Sequence, residues 1–510
     1  MDISITLHES LLLVLLFSSL FYLYFKNQQS TKKPTIHGLK SYPIIGYLPH
    51  FVRNSHRFLD WMTECILRSP TRTMGFHSLG STYGILTANP ANVEHMLKIN
   101  FSNYPKGQRT TSMMKDLLGR GIFNSDDDEW KWQRKTAIFE FNKRSLRNFV
   151  VDTVHSEITN RLLPILKRAA EKGVEVELHN VLERFAFDTI CRVAFGEDPA
   201  CLTDEEGFGG SSSSEEFMAA LTVAQDLSTA RFLEPFEDVW RIKKFLNIGT
   251  EKRLQKALSV VREYSMNIIR SRMSKGIELD GRGDMLSRFA SNKDLDEEVL
   301  RDVVTSFLLA GRESTSTTLI WFFWQVSTRP DVEKKILDEI KCLRTSNCIT
   351  TETFSFDDLR DMNYLHAAIT ESMRLYPPVP LDTVSCKEDD VMPDGTFVGK
   401  GWFVTYSAYT MGRSEDIWGM DCMEFKPGRW LDENGVFKPV SPFRYPVFHA
   451  GPRMCLGKEM AYIQTKSIAA CVLERFQIRS LKKEGTPEHI LSLVLRMKGG
   501  LPVQLSKRED

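Results

Sequence analysis

The chain has 510 residues, 42% of them hydrophobic, and its 66 basic and 66 acidic side chains leave no formal net charge. That length allows a large core and, as a prior, about three domains, while the neutral balance excludes a global electrostatic case for nucleic acid. Nine cysteines without a CxxC pair exclude a disulfide scaffold or a zinc site and fit a reducing compartment.

The run Leu11 to Phe25 is apolar apart from Ser18, Ser19, Tyr22 and Tyr24. It is short of the ~20 residues that span a bilayer, and extending it back to Ile3 brings His8 and Glu9 to the membrane surface. A signal peptide would need a basic start and a small-x-small cleavage site, and both are missing. Positive charge follows instead at Lys26, Lys32 and Lys33, which keeps the rest of the chain cytosolic. The expectation is a membrane anchor within residues 1–30 and one cytosolic body over 31–510, with no long linker dividing it. Pro34, Pro43 and Pro49, with Gly46, make a stiff connector that cannot continue the helix.

β-Prone runs at Thr73 to Phe76 and Tyr83 to Thr87 predict a small sheet. Asn103 to Gly107 reads as a loop, and the segment on to Gly121 as mixed and broken by glycine. Ser125-Asp126-Asp127-Asp128-Glu129 then supplies a cap and a cluster of acids for a helix entering at Trp130. Trp130 and Arg134 are four apart and share a face; on their own they are also what a core tryptophan beside a surface arginine looks like. Lys131, Arg134, Lys135, Lys143, Arg144 and Arg147 make this region basic, either as a solvated face or as a docking patch for an acidic protein.

Residues 150 to 300 read mostly as amphipathic helices, interrupted by a flexible Gly/Ser loop over Gly207 to Ser214. One long, largely buried helix is predicted from Asp294 to Trp324. Inside it, Ala310-Gly311-Arg312-Glu313 leads into five hydroxyl residues, Ser314 to Thr318. Their side chains can bond the carbonyl one turn back and loosen the helix, and Ala310-Gly311 leaves space beside it. Glu371 and Arg374, at i and i+3, meet on one helix face, before the extended Val379-Pro380-Leu381-Asp382. Pro427-Gly428-Arg429-Trp430 forms a later loop. Hairpins are expected around Pro393-Asp394-Gly395 and between Leu491 and Gly500.

Phe448-His449-Ala450-Gly451-Pro452-Arg453-Met454-Cys455-Leu456-Gly457 is a loop entering a helix. Helix-start amides and the positive dipole end favour thiolate at Cys455. Gly451 and Gly457 let the backbone approach something flat and bulky, and Arg453 can hold an anionic substituent of it. A planar cofactor with a thiolate on one face suggests iron porphyrin; the cysteine alone also reads as a small buried thiol in a turn.

The spacing F-x-x-G-x-R-x-C-x-G resembles the haem-binding loop of the cytochromes P450, with every defining position matched. Trp130 and Arg134 are similar to that family's W-x-x-x-R, Ala310 to Thr315 to its A/G-G-x-D/E-T-T/S, and Glu371 with Arg374 to its E-x-x-R. Ser314 departs from the usual threonine, keeping the hydroxyl but losing the methyl that fixes its rotamer, which puts tight proton delivery in doubt. The resemblance covers essentially the whole chain.

It implies a mainly α fold with a small β domain, and a haem between the long central helix and the cysteine loop. The cofactor would be haem b, iron protoporphyrin IX. Cys455 would be the proximal iron ligand, Phe448 would pack beneath the ring, and Trp130, Arg134 and Arg453 would hold its propionates. Ala310, Gly311, Gly451 and Gly457 would complete the cofactor contacts. Glu313 and Ser314, with Thr315, would relay protons, and Glu371, Arg374 and Arg429 would be scaffold. Pro43 to Gly46 looks like the hinge after the anchor of microsomal members.

The reaction implied is monooxygenation with O2. No GxGxxG unit opens a nucleotide-binding domain, so electrons would come from an NADPH-cytochrome P450 reductase, with cytochrome b5 as a possible second donor, at the endoplasmic reticulum membrane. Asn103 to Gly107, Pro377 to Thr383 and Arg453 to Gly457 most resemble plant microsomal lipid hydroxylases acting on fatty-acid chain ends. Some relatives hydroxylate instead the end of a sterol side chain (C-26/27, as in cholesterol) or a hormone conjugate. Rival readings are an O2-independent haem isomerase or dehydratase, against which the Glu313-Ser314 pair and the basic patch speak, and a haem sensor or carrier.

Overall fold

The computed structural model describes residues 42, 47–77, 83–139, 141, 150–203, 212–234, 239–274, 285–292, 296–482 and 485–508. The helices that matter here are α1 (Phe58–Arg68), α2 (Gly107–Leu118), α3 (Asp127–Ala137), α4 (Leu178–Phe195), α5 (Ser212–Leu233), α6 (Val239–Phe245), α7 (Gly249–Ser274), α8 (Glu297–Ser327), α9 (Pro330–Ser346), α10 (Asn363–Leu375) and α11 (Lys458–Arg475). A four-stranded sheet runs in the order β1 (Thr73–His77), β2 (Tyr83–Thr87), β7 (Phe403–Ser407), β4 (Leu381–Ser385). The expected strands at 73 and 83 are therefore present, and their antiparallel hairpin is joined to the later half of the chain by a parallel β2–β7 pairing. The hairpin expected around Asp394 forms, β5 (Asp390–Val391) with β6 (Phe397–Val398). The terminal one forms earlier than expected, β9 (His489–Leu491) with β10 (Leu495–Met497), so that residues 492–494 connect its strands and Gly499 and Gly500 lie beyond it.

The core gathers around α8. Leu319 to Phe323 are five consecutive residues, all buried, so the helix is covered on every side there rather than on one stripe. Trp321 stacks on Tyr376 at 3.9 Å, and its indole N–H donates to the Leu495 carbonyl at 2.9 Å, fixing the β9–β10 hairpin against the helix. α4 packs along the other side of α8, while α5 packs on α7 and α2. The helix starts later and runs longer than its sequence suggests: Asp296 caps it by accepting from the Glu298 amide at 3.2 Å, and Asp294 lies outside the described residues.

Two expectations need correcting. The segment after Asn103 is not broken by glycine but forms the 12-residue α2. Gly107 and Gly119 bound it, while Met113, Met114, Leu117 and Leu118 bury one face. The end of the expected Gly/Ser loop is helical, because α5 opens at Ser212; residues 204–211 lie outside the described set. Among the described residues no helix is long and apolar enough to cross a membrane, and residues 1–30, where the anchor is expected, lie outside them.

Candidate haem site

Cys455 ends a tight loop just before α11. Its amide donates to the Phe448 carbonyl at 2.8 Å and the Met454 amide donates to the Gly451 carbonyl at 3.1 Å, so two backbone bonds close the loop around the sulfur. The side chain is accessible, yet burial is the largest influence on its thiol and pushes its pKa up. Accessible and deep at once, the sulfur faces an internal void. The Gly457 amide, Arg134 and Lys458 pull the other way without reversing the shift, so the helix start does not by itself make a thiolate. A metal would, because coordination deprotonates a thiol outright.

The opposite wall belongs to α8. Between Asp302 and Phe323 only Leu309, Ala310, Gly311 and Ser314 are not fully buried, and Ala310 and Ser314 lie one turn apart on one face. Phe141 links the two walls. Its ring stacks on Phe307 of α8 at 6.5 Å, and its edge lies 3.7 Å from where a Cβ on Gly457 would sit.

One end of this void is lined with charge. The Arg453 guanidinium lies 4.4 Å over the Trp130 ring and that of Arg134 6.0 Å over the same ring. Arg453 Nη2 donates to Asp126 Oδ1 at 2.5 Å and to the Ser125 carbonyl at 3.1 Å, while its buried Nε has no hydrogen-bond partner among the described residues. Burial pushes its pKa down, with Asp126 and Asp382 opposing. A buried, partly unsatisfied guanidinium beside an accessible sulfur is a fit for a planar iron chelate that carries carboxylates. Haem has that form: Cys455 would bind its iron, Arg453, Trp130 and Arg134 would hold its carboxylates, and Phe448, whose ring meets Tyr462 at 5.3 Å, would pack below.

The family profile Cytochrome P450 matches residues 36–502. The chain belongs to that family. It is 49% identical over 465 residues to Cytochrome P450 CYP94D108 of Paris polyphylla, covering 91% of each chain. It is also 44% identical to Cytochrome P450 94B1 of Arabidopsis thaliana over 480 residues (92% of this chain, 91% of the relative). Cytochrome P450 94A1 of Vicia sativa is 42% identical over 484 residues, with the same two shares. This P450 is accordingly a haem-iron enzyme of the monooxygenase type, with a mainly helical fold and small sheets.

The scaffold residues come together as their motifs suggest. The Glu371 carboxylate takes Arg374 Nε at 2.7 Å and Nη2 at 2.8 Å, Arg429 Nε at 3.3 Å and the Trp430 indole at 2.8 Å. The Ser314 hydroxyl bonds the Ala310 carbonyl one turn back at 2.6 Å, although α8 continues unbroken through its five hydroxyl residues.

Other residues depart from expectation. Thr315 does not face the void: its hydroxyl donates to Gln464 of α11 at 3.3 Å. Gly311 does not leave a gap on its Cβ side, where an added carbon would meet Ile190 of α4 at 2.5 Å; it lets two helices approach. Gly451 serves the loop rather than the cofactor. It has φ +65°, and a Cβ there would sit 2.0 Å from the Leu97 carbonyl oxygen. Gly451→Ala is expected to cost about 1–3 kcal/mol in backbone strain and to lower the haem recovered per mole of protein, measured with the thermal transition. Asp126 precedes α3 but makes no side-chain cap. Its carboxylate instead accepts from the Lys106 and Gly107 amides at 3.0 and 3.3 Å, clasping the start of α2 to Arg453.

Sequence reasoning missed a second clasp. Asp382 takes the Lys106 ammonium at 2.8 Å and lies 3.1 Å from His449 Nε2. Burial raises its pKa, but Lys106 and His449 more than offset that and hold the carboxyl far below the usual range. His449 itself has φ +61° and ψ −173°, backbone territory that glycine favours, so the loop keeps a strained residue beside Phe448. The only sequence signal was the occurrence of Lys106, Asp382 and His449 in three separate loop-like stretches. Lys143, Arg144 and Arg147 of the expected basic patch lie outside the described residues; Lys131 pairs with Asp128 at 3.0 Å.

Proposed function

We propose that this P450 hydroxylates the terminal carbon of a fatty acid. The observation that carries the reading is the accessible but deep Cys455 sulfur, facing the residues between Asp302 and Phe323 of α8 that are not fully buried, beside a buried guanidinium. The substrate class rests on Asn103 to Gly107, Pro377 to Thr383 and Arg453 to Gly457, which resemble plant lipid hydroxylases. The cofactor would be haem b, its iron held by Cys455, and it would supply the redox chemistry of O2 activation, with the cysteine thiolate favouring O–O cleavage.

The chain's own residues do the rest. Asp126 and Asp382 hold Lys106 and with it the start of α2, so the segment covering the pocket is fixed to the cofactor loop. Ser314 presents its hydroxyl on the void side of α8, and Glu313, its neighbour in sequence, is the carboxylate that would carry protons, although it is buried and turned onto α5, where Gln225 donates to it at 2.6 Å. Apolar walls exclude water and leave a terminal methyl as the group that can be presented. Residues 1–30 anchor the protein in the endoplasmic reticulum membrane with its body in the cytosol. NADPH-cytochrome P450 reductase docks on the basic face that carries Lys131, Arg134 and Lys135.

Co-expression with a plant reductase tests the proposal, with fatty acids and cholesterol fed in parallel and products identified by mass. The expected product is a fatty acid hydroxylated at its terminal carbon. A sterol hydroxylated at its side-chain end instead overturns the substrate class. Conversion of a substrate without NADPH overturns the monooxygenase reading in favour of an isomerase or dehydratase.

A further inference from the structure

A cleft of about 490 Å³ opens between the end of α2, α6, α7 and the first turns of α8, within the size range of small-ligand sites. It is not the void at Cys455. Asp302, the last α8 residue in its wall, precedes Ala310 by eight residues, about 12 Å of helix, and Ser306, Phe307 and Leu308 are buried between them. The two walls of the cleft carry opposite charge. On one, Lys244 Nζ and Arg231 Nη2 each lie 2.8 Å from the Asp116 carboxylate, and Arg262 Nη2 donates to the Asp116 carbonyl at 3.1 Å. Lys115 stands next to it, exposed. Glu251 shares Arg231 at 2.6 Å, so two carboxylates meet four cations. The α8 wall is the reverse. Asp296 accepts from the Glu298 amide at 3.2 Å, and the Glu298 side chain is 73% exposed, 3.9 Å from Arg301. Asp302 takes Arg301 at 2.9 Å and the Arg120 amide at 2.9 Å, while the Arg120 side chain pairs with Glu129 at 2.6 Å. Three carboxylates there meet one guanidinium.

We propose that this cleft binds the headgroup of phosphatidylethanolamine, its phosphate on Lys115, Lys244 and Arg262 and its ammonium on Asp296 and Glu298. A ligand with a single charge would match one wall and be repelled by the other; a zwitterion with its charges two carbons apart matches both. Arg262 uses one of five N–H donors on Asp116, which leaves its fork for phosphate oxygens. Val299 is the one apolar side chain in the lining, and no aromatic ring joins it. The cage that a quaternary ammonium prefers is therefore missing, whereas a primary ammonium has three donors for the carboxylates. The lipid source follows from α6. Beside Lys244, the side chains of Ile242, Phe245, Leu246 and Ile248 are 58%, 89%, 54% and 49% exposed, and the first three share a face. No other seven consecutive described residues expose four large hydrophobic side chains. An apolar face of this kind enters the boundary between headgroups and acyl chains, which sets the neighbouring Lys244 at headgroup depth. The lipid source rests on the membrane attachment proposed above, while the charge-divided cleft does not.

Calorimetry on the full-length, haem-loaded protein in uncharged detergent tests the cleft with three soluble probes: glycerophosphoethanolamine, dimethyl phosphate and ethanolamine. The first is expected to bind at least about tenfold more tightly than either of the others, because each wall adds about one charge contact near a membrane surface, roughly fivefold in affinity. Arg262→Gln with Lys115→Gln should weaken the first two probes, and Glu298→Gln the first and third but not dimethyl phosphate. These side chains are exposed or half-buried, so thermal transitions should be retained. Equal affinity for glycerophosphoethanolamine and dimethyl phosphate, or binding untouched by the substitutions, overturns the proposal. The lipid source is read by reconstituting the protein in discs of phosphatidylcholine and phosphatidylethanolamine, extracting it and weighing the retained lipid by native mass spectrometry. About one phosphatidylethanolamine per chain is expected, lost in the Arg262 and Lys115 double variant. Retention of phosphatidylcholine instead, or of no lipid by a protein that binds the soluble headgroup, overturns the lipid assignment. If the protein does not enter the discs, the membrane attachment fails, while the soluble probes still decide the cleft.

Discussion

Cys455→Ser is expected to eliminate the long-wavelength Soret band of the reduced, carbon-monoxide-bound protein and to lower turnover at least about a thousandfold, or about 4 kcal/mol of barrier. Serine fits the same loop, because the bonds that close it are backbone bonds from Cys455 to Phe448 and from Met454 to Gly451. The fold should therefore survive and the loss be one of ligand chemistry: an alcohol oxygen does not donate electron density to iron as a thiolate does. The alternatives are few. Cys191, Cys201, Cys386, Cys422 and Cys471 are buried, whereas the Cys455 side chain is accessible. None faces the void as Cys455 does. A long-wavelength band that persists in Cys455→Ser, in folded and haem-loaded protein, would assign the ligand elsewhere and remove the basis of the proposed function.

What could be read from the sequence was whatever a short stretch decides by itself. The cysteine loop, the Glu371–Arg374 pair, β1 and β2, and the β5–β6 hairpin each depend on residues a few positions apart. The long α8 was legible for the same reason, since one apolar run sets its extent. The misreadings share a different cause. Asp126 looks like a helix cap until Arg453, 327 residues away in sequence, claims its carboxylate. Gly311 looks like room for a ligand until Ile190 fills it, and Thr315 like an active-site hydroxyl until Gln464 accepts from it. The direction of Glu313 depends on α5, where Gln225 donates to its carboxylate at 2.6 Å and Thr222 at 3.4 Å, contacts that lie about 90 residues away in sequence. An arginine next to Glu313 within a buried helix was the one hint, because such a charge must find partners. Local pattern fixed which residues surround the site, but not which of them point at it.

Glu371→Ala is the second large effect, and it is expected in stability rather than in the chemical step. The carboxylate is fully buried and accepts from Arg374, Arg429, Trp430 and the Lys426 amide, the last at 3.0 Å. Arg374, equally buried, also donates to the carbonyls of Gly412, Cys422 and Glu424. The pair thus ties α10 to the whole stretch from Gly412 to Trp430. Beyond it, the Tyr445 hydroxyl donates to the Thr370 carbonyl of α10 at 3.0 Å, only three residues before Phe448. Removing one member of a buried pair leaves the other charge uncompensated, at a cost of about 3–5 kcal/mol. Glu371→Ala should therefore lower the thermal transition and the haem content together, with turnover per bound haem much less affected. Glu371→Gln, which keeps an acceptor oxygen but not the charge, should fall between. If Glu371→Ala instead keeps its haem and its thermal transition but loses turnover, the carboxylate takes part in the reaction and α10 is more than scaffold. The geometry argues against that outcome, because both carboxylate oxygens are already engaged by donors from the chain and the group has no accessible surface from which to meet a substrate.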